Sequence, residues 1–420
     1  MRFTLNTFYS ICILYIFTDI YTYFGLKSLF KNKRNRQIFT IAYISLSVFL
    51  YYSFYQFHYY FTNRSFFSST NGGFYLAIIL TAILTKLAFT IFLLPQDIGR
   101  YFYGTGKFLH TFFSGNDFPE NESTIPKRRK FLTLLATGLA AIPFSTMLYG
   151  TTRGKYAYTL NKVKLTFKDL PAAFEGFKIV QISDIHAGSL DSKSGVTKGV
   201  KMINDQEADL VVFTGDLVNS DKDEVNEYID IFKDIKAKYG KFSVLGNHDY
   251  YGVPDGKAAE KTYWEDFFKK YQAMGFQLMN NENQMIEKEG DKICLVGVEN
   301  WGRGRYFPKR GDLDKALSAV EKEDFCILLS HDPTHWEEKV IDHQKHIHLT
   351  LSGHTHGCQF GVNMPGFKWS PIQYRYDKWM GLYEEAQQYL YINRGFGFLA
   401  FPGRVGMWPE ITVLELSREV

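Results

Sequence analysis

Lys178-Ile-Val-Gln-Ile-Ser183, followed at once by Asp184-Ile185-His186, is the stretch that decides how this chain folds. An apolar, β-branched run of this length reads as a buried strand, and it ends directly in side chains that bind metal or move protons. The same arrangement recurs along the second half of the chain. Leu210-Val-Val-Phe-Thr214 leads into Gly215-Asp216-Leu217-Val218-Asn219, and Phe242-Ser-Val-Leu245 into Gly246-Asn247-His248-Asp249. Phe325-Cys-Ile-Leu-Leu329 leads into Ser330-His331, and Ile347-His-Leu-Thr-Leu351 into Gly353-His354-Thr355-His356. Open α/β sheets build their sites at the carboxyl ends of strands. One Asp-x-His arises by chance, and a lone histidine is usually a satisfied core residue. Five strand ends carrying Asp, Asn and His together point to a dinuclear metal centre. The set holds no Cys, which suits Mn, Fe or Zn on nitrogen and oxygen rather than a thiolate zinc site.

The order Asp-x-His, Gly-Asp-x-x-Asn, Gly-Asn-His-Asp, His, Gly-His-x-His resembles the calcineurin-like metallophosphoesterase superfamily, over about residues 178–416. Tyr391-Ile-Asn-Arg-Gly-Phe-Gly397 and Pro409-Glu-Ile-Thr412 resemble its bacterial membrane-associated branch. Asn219 stands where many members carry Asp, and Cys358 where relatives often have Gly; neither is a ligand position. The resemblance implies a four-layer α/β/β/α sandwich of two mixed sheets. It assigns Asp184, His186 and His356 to one divalent ion, Asn247, His331 and His354 to a second, and Asp216 to the bridge. It implies attack on phosphorus by a metal-bridged hydroxide. His248 would then protonate the leaving oxygen or stabilise the developing charge. Asp249 either orients the His248 imidazole or caps a turn.

Around these motifs, strand-like and helix-like stretches alternate. Residues 156–160 and 163–167 each alternate in polarity with a shift of register between them, which predicts two strands separated by a bulge or turn. Helices are expected over 195–204, 224–237, 258–274 and 313–320. His335, His343, His346 and His348 match no motif position and read as surface or strand residues.

The first 150 residues are different in kind. The chain has 420 residues and 17% aromatics, with 38 Phe and 28 Tyr. Segments near 8–26, 38–57, 74–94 and 131–149 are apolar enough to span a bilayer, which takes about 20 residues. No charged face recurs at helical spacing, which argues against a soluble helical core. Lys27, Lys31, Lys33, Arg34 and Arg36 follow the first segment, and Lys127, Arg128, Arg129 and Lys130 precede the fourth; only Arg64 lies between the second and third. The positive-inside rule makes the first and third connections cytoplasmic. The expectation is a multi-pass inner-membrane protein with an extracytoplasmic catalytic domain over 156–420, joined by a polar link at 151–155. Arg128-Arg129-Lys130-Phe131-Leu132 also resembles a twin-arginine export signal, and either reading places the domain on the same side. Asp19 and Lys86 fall at similar depths in the first and third segments and are expected to pair, unless each reaches a headgroup region instead.

The four cysteines form no spaced framework, and a net charge of +4 gives no ground to expect a nucleic-acid partner. The partners expected are the bilayer and a phosphorylated small molecule or lipid. Arg394, in Asn393-Arg394-Gly395, is the preferred candidate for gripping phosphate, ahead of Arg303, Arg305 and Arg404. The aromatic stretch 361–381 either covers a substrate, lies at the membrane interface or packs on its own domain. The leading reading is a phosphohydrolase for esters or pyrophosphate. The alternatives are a lipid-linked nucleotide pyrophosphatase of the lipid A pathway type and a silent scaffold on the same fold, which usually loses the residue matching His248.

Overall fold

The motif strands are buried on both faces, which is why they read as continuous apolar runs rather than alternating ones. A computed structural model describes residues 5–63, 70–115, 124–305 and 307–419. Arg64 and most of the connection preceding residue 124 lie outside them.

Residues 150–420 form a compact unit around two six-stranded sheets. The first runs Thr159–Phe167, Glu410–Arg418, Lys178–Ile182, Leu210–Phe213, Lys241–Ser243, Gln277–Leu278 in space. All its neighbours are parallel except Glu410–Arg418 against Lys178–Ile182. The second runs Gly381–Glu385, Gln388–Ile392, Leu349–Ser352, Cys326–Leu329, Asp291–Gly297, Glu282–Lys288, with antiparallel pairs at its two edges. Leu165, Ile179, Val212, Ile327 and Leu349 fill the space between the sheets. Val196, Val200, Phe267 and Tyr271 join the first sheet to its outer helices, and Leu313, Trp336 and Val340 cover the second. The result is the expected α/β/β/α stack.

Several local expectations give way. Thr159–Phe167 is one unbroken strand in continuous register with Glu410–Arg418, with no bulge. Its polarity shifts because Leu160 packs toward the outer helices while Val163 and Leu165 face the other sheet. The helix expected over 224–237 is a 3-10 segment, Lys222–Tyr228, and a short α-helix, Ile229–Lys233. Asp221 and Glu224 form a capping box that starts it. At 151–155, where a polar link is expected, the preceding helix runs to Thr152 and a 3-10 turn spans Gly154–Tyr156, which leaves that expectation standing.

The other unit consists of four helices: α1 (Leu5–Lys27), α2 (Lys33–Thr62), α3 (Thr70–Ser114) and α4 (Thr124–Thr152). Three of them, α2 to α4, are long and apolar enough to cross a membrane. The first is 23 residues long and carries Asp19 among its apolar side chains. The third continues 20 residues beyond its expected end at 94, through Pro95. Large apolar side chains such as Ile41, Phe92 and Phe131 face outward, as lipid contact requires. Inside, Lys86 and Asp19 form a buried ion pair. Asp19 also accepts from Tyr43 at 2.9 Å, Ser47 at 3.1 Å and Tyr51 at 3.1 Å, and Lys86 donates to Tyr15 at 2.7 Å.

Candidate metal centre

The loops that follow the motif strands hold strained backbone. Asp184, His186, Asp216, His354 and His356 have φ of 51°, 49°, 58°, 72° and 53°, in the left-handed region that non-glycine residues rarely adopt. Each such residue costs on the order of 1–3 kcal/mol, so the surroundings must impose it. Cross-loop hydrogen bonds do so. The Asp184 N–H donates to the Gly215 carbonyl at 2.9 Å, and the Gly353 N–H donates to the His331 carbonyl at 2.9 Å. The Asp249 carboxylate accepts from the N–H groups of Gly246 (2.8 Å), Leu217 (2.9 Å), Asp216 (3.1 Å) and Val218 (3.3 Å). Asp249 therefore caps its own turn at Gly246 and also ties two motif loops together. Gly246 is required by space, since a Cβ there would lie 2.2 Å from Asp216 Oδ1.

These backbones bring two groups of ligating atoms together. Asp184, His186 and His356 form one, and Asp216, His331 and His354 the other. In the first, the Nε2 atoms of His186 and His356 lie 3.0 Å apart, and His356 Nε2 lies 3.2 Å from Asp184 Oδ1. In the second, His331 Nε2 lies 3.1 Å from Asp216 Oδ2 and 3.3 Å from His354 Nδ1. Asp216 Oδ2 is also 3.5 Å from His186 Nε2, so a single oxygen faces both groups. Its other oxygen is taken by the His248 N–H at 2.8 Å. Of the two Asp216 oxygens, only Oδ2 therefore faces both groups.

The donor set fits two divalent cations. Two imidazole nitrogens 3.0 Å apart can share at most one proton between their lone pairs. Asn247 Oδ1 is buried with no hydrogen-bond partner, while its amide nitrogen donates to the Tyr251 hydroxyl at 3.1 Å. His331 Nδ1 donates to the Thr214 carbonyl at 2.7 Å, which leaves Nε2 as the inward nitrogen. His354 is held from behind by the Tyr376 hydroxyl, 2.8 Å from Nε2, leaving Nδ1 inward.

The electrostatics agree. Burial opposes ionisation of Asp184 and Asp216, but the surrounding imidazoles, led by His356 and His331, hold both well below the usual carboxylate range. Burial also opposes charging of His331, yet the Asp216 carboxylate wins and raises it to about 10. Burial keeps His186, His354 and His248 below the ordinary histidine value. Such opposed shifts within one enclosed cluster are characteristic of functional sites.

His248 lies at the edge of the first group. Its Nδ1 donates to the Asn219 carbonyl at 2.7 Å, and its ring packs edge-on against His186 (4.9 Å) and Tyr251 (4.7 Å). Asn219 thus orients His248 through its backbone, so an amide can stand where relatives carry a carboxylate. Arg394 is elsewhere engaged: it is buried, ion-paired with Glu410 and donating to Thr159 Oγ1 at 3.1 Å. Arg303 pairs with Glu337 at 2.8 Å and Glu338 at 2.6 Å. Arg404 is buried and donates to the Gly397 carbonyl at 2.8 Å, with its guanidinium 3.3 Å from His356 Nδ1. Cys358 has φ of 57°, which accounts for the preference for Gly there. Within the aromatic stretch, Tyr376, Trp379 and Met380 pack on Met407, while Phe367 and Tyr374 are exposed.

A metallophosphoesterase from Bacillus subtilis (strain 168), YkuE, is 32% identical over 296 residues, covering 69% of this chain and 97% of that protein. This chain belongs to the calcineurin-like metallophosphoesterase family. A family model described as calcineurin-like phosphoesterase matches residues 177–358, and one described as probable calcineurin-like phosphoesterase, transmembrane domain, matches residues 1–155. Transmembrane proteins with a metallophosphoesterase domain from Danio rerio and Bos taurus are 29% and 30% identical, over 69% and 61% of this chain. The chain spans 63% and 56% of their respective lengths. Membrane-type helices and a metallophosphoesterase fold therefore occur together in this family. Tyr251, which touches Asn247, and Phe307 and Tyr376, which touch His354, carry no motif signal in the sequence, though Tyr376 falls inside the aromatic stretch.

Proposed function

We propose that this chain is a membrane-anchored phosphohydrolase that cleaves a phosphoester or phosphoric anhydride bond at a dinuclear metal centre. The observation that carries the reading is the convergence of two ligand groups on Asp216 Oδ2 with His248 beside them. Asp184, His186 and His356 would hold one divalent ion, Asn247, His331 and His354 the other, with Asp216 shared. Bound there, two divalent ions supply Lewis acidity toward the phosphoryl oxygens and ease deprotonation of water.

The chain's own residues do the remainder. The Asn219 carbonyl fixes the His248 ring through Nδ1, leaving Nε2 to carry a proton to the leaving oxygen. The lowered pKa of His248 makes its protonated form a stronger acid than free imidazole. Tyr376 and the Thr214 carbonyl hold the His354 and His331 rings in place. The basic residues after α1 and at the start of α4 favour an extracytoplasmic position for 156–420.

The test is hydrolysis by the full chain in detergent, stripped with chelator and reloaded with Mn. Bis-p-nitrophenyl phosphate, the monoester and a pyrophosphate diester are the substrates, and activity should return only with metal. Absence of hydrolysis of all three with two ions bound would refute the reading. For topology, a C-terminal alkaline phosphatase fusion should be active; an inactive fusion beside a bright C-terminal fluorescent protein would place the domain in the cytoplasm.

A further inference from the structure

Arg375 stands near the rim of the candidate metal centre. Arg375 is exposed, and its guanidinium lies over two rings, 5.8 Å from the centre of Phe307 and 5.5 Å from that of Tyr376. Both rings touch the same ligand. Phe307 packs edge-on against His354 at 4.9 Å, and the Tyr376 hydroxyl lies 2.8 Å from His354 Nε2. Arg375 is thus two contacts removed from the ligand group of Asp216, His331 and His354.

Two nearby cations are neutralised. Arg303 pairs with Glu337 and Glu338, and Lys378 with Glu337 and Glu385. Among the described residues, no carboxylate lies within ion-pair distance of Arg375. A guanidinium placed over aromatic rings keeps N–H donors available, and the rings limit the side-chain freedom lost when an anion arrives.

We propose that Arg375 binds a second anionic group of the substrate, a phosphate next to the one that is cleaved. The inference rests on the phosphohydrolase reading and specifies its substrate class. The scissile phosphoryl group has its charge met at the ligand groups around Asp216. A further cation beyond His354 is useful only for charge the substrate carries elsewhere, and a fork of donors suits a phosphate. Pyrophosphate diesters fit this class, whereas simple monoesters and diesters do not carry the second group.

The test compares two substrates in the metal-loaded full chain: bis-p-nitrophenyl phosphate, with one phosphate, and ADP-glucose, a pyrophosphate diester. Arg375→Ala should raise KM for ADP-glucose by about ten- to a hundredfold, the worth of a charge-assisted hydrogen-bonded contact, while kcat/KM for the diester stays within twofold. Arg375→Lys should recover part of the loss. Equal losses on both substrates would show a structural role and overturn the inference, as would an unchanged KM for ADP-glucose. In both cases continued hydrolysis of the diester leaves the phosphohydrolase reading intact. A wild-type chain with two ions bound that cleaves neither substrate refutes that reading and this inference together.

Discussion

Among the four helices, the Asp19 carboxylate meets Lys86, Tyr43, Ser47 and Tyr51, and Lys86 meets Tyr15 as well. Around Asp216, by contrast, imidazole nitrogens face one another at 3.0 and 3.3 Å, and Asn247 Oδ1 has no partner. Both clusters bury charge, and each buried ion costs several kcal/mol unless it is matched. The first cluster pairs every acceptor with a donor and is closed. The second sets imidazole nitrogens against one another and leaves Asn247 Oδ1 unmatched, a donor set that suits cations. The difference separates a charge pair that holds helices together from a site built to take up a ligand.

The largest expected effect lies on the open cluster. His248→Ala should slow hydrolysis of a substrate with a poor leaving group by about two to four orders of magnitude, as expected for a lost general acid. Metal content should not change, because His248 contributes its backbone N–H to Asp216 and no ligand atom. Full turnover in that variant would remove His248 from the chemistry.

The closed cluster gives a smaller effect, and on stability instead of rate. Lys86→Met leaves the Asp19 carboxylate buried without its cation and should cost about 3–5 kcal/mol. Asp19→Asn combined with Lys86→Met should cost less than Lys86→Met alone, since no charge is then stranded. Thermal unfolding of the four variants in detergent measures the coupling, and strictly additive losses would show that the pair does not interact.

Much of the site could be read from the chain because its signals are local. Each candidate ligand follows closely on an apolar strand, so strand position and chemistry are written within a few residues of each other, as at Ile182 and Asp184. What was not legible depends on partners distant in sequence. Arg394 looked available until the fold brought Glu410 against it, and for Asp249 the choice between orienting His248 and capping a turn stayed open until four N–H groups converged on it. The register shift near Asn161 suggested a bulge because the sequence does not reveal that both faces of that strand are covered. Tyr251, Phe307 and Tyr376 reach the ligands from loops that no periodicity distinguishes. Asp19 and Lys86 lie 67 residues apart, yet equal depth in two apolar segments was enough to pair them.

The central claim is that Asp216 joins two metal sites, and metal stoichiometry tests it most directly. Mn titrated into the chelator-stripped full chain, with elemental analysis after removal of unbound ion, should give two equivalents for the wild type. Asp216→Asn should hold fewer than two and lose hydrolysis in parallel. One equivalent in the wild type, or two retained by Asp216→Asn, would contradict the account.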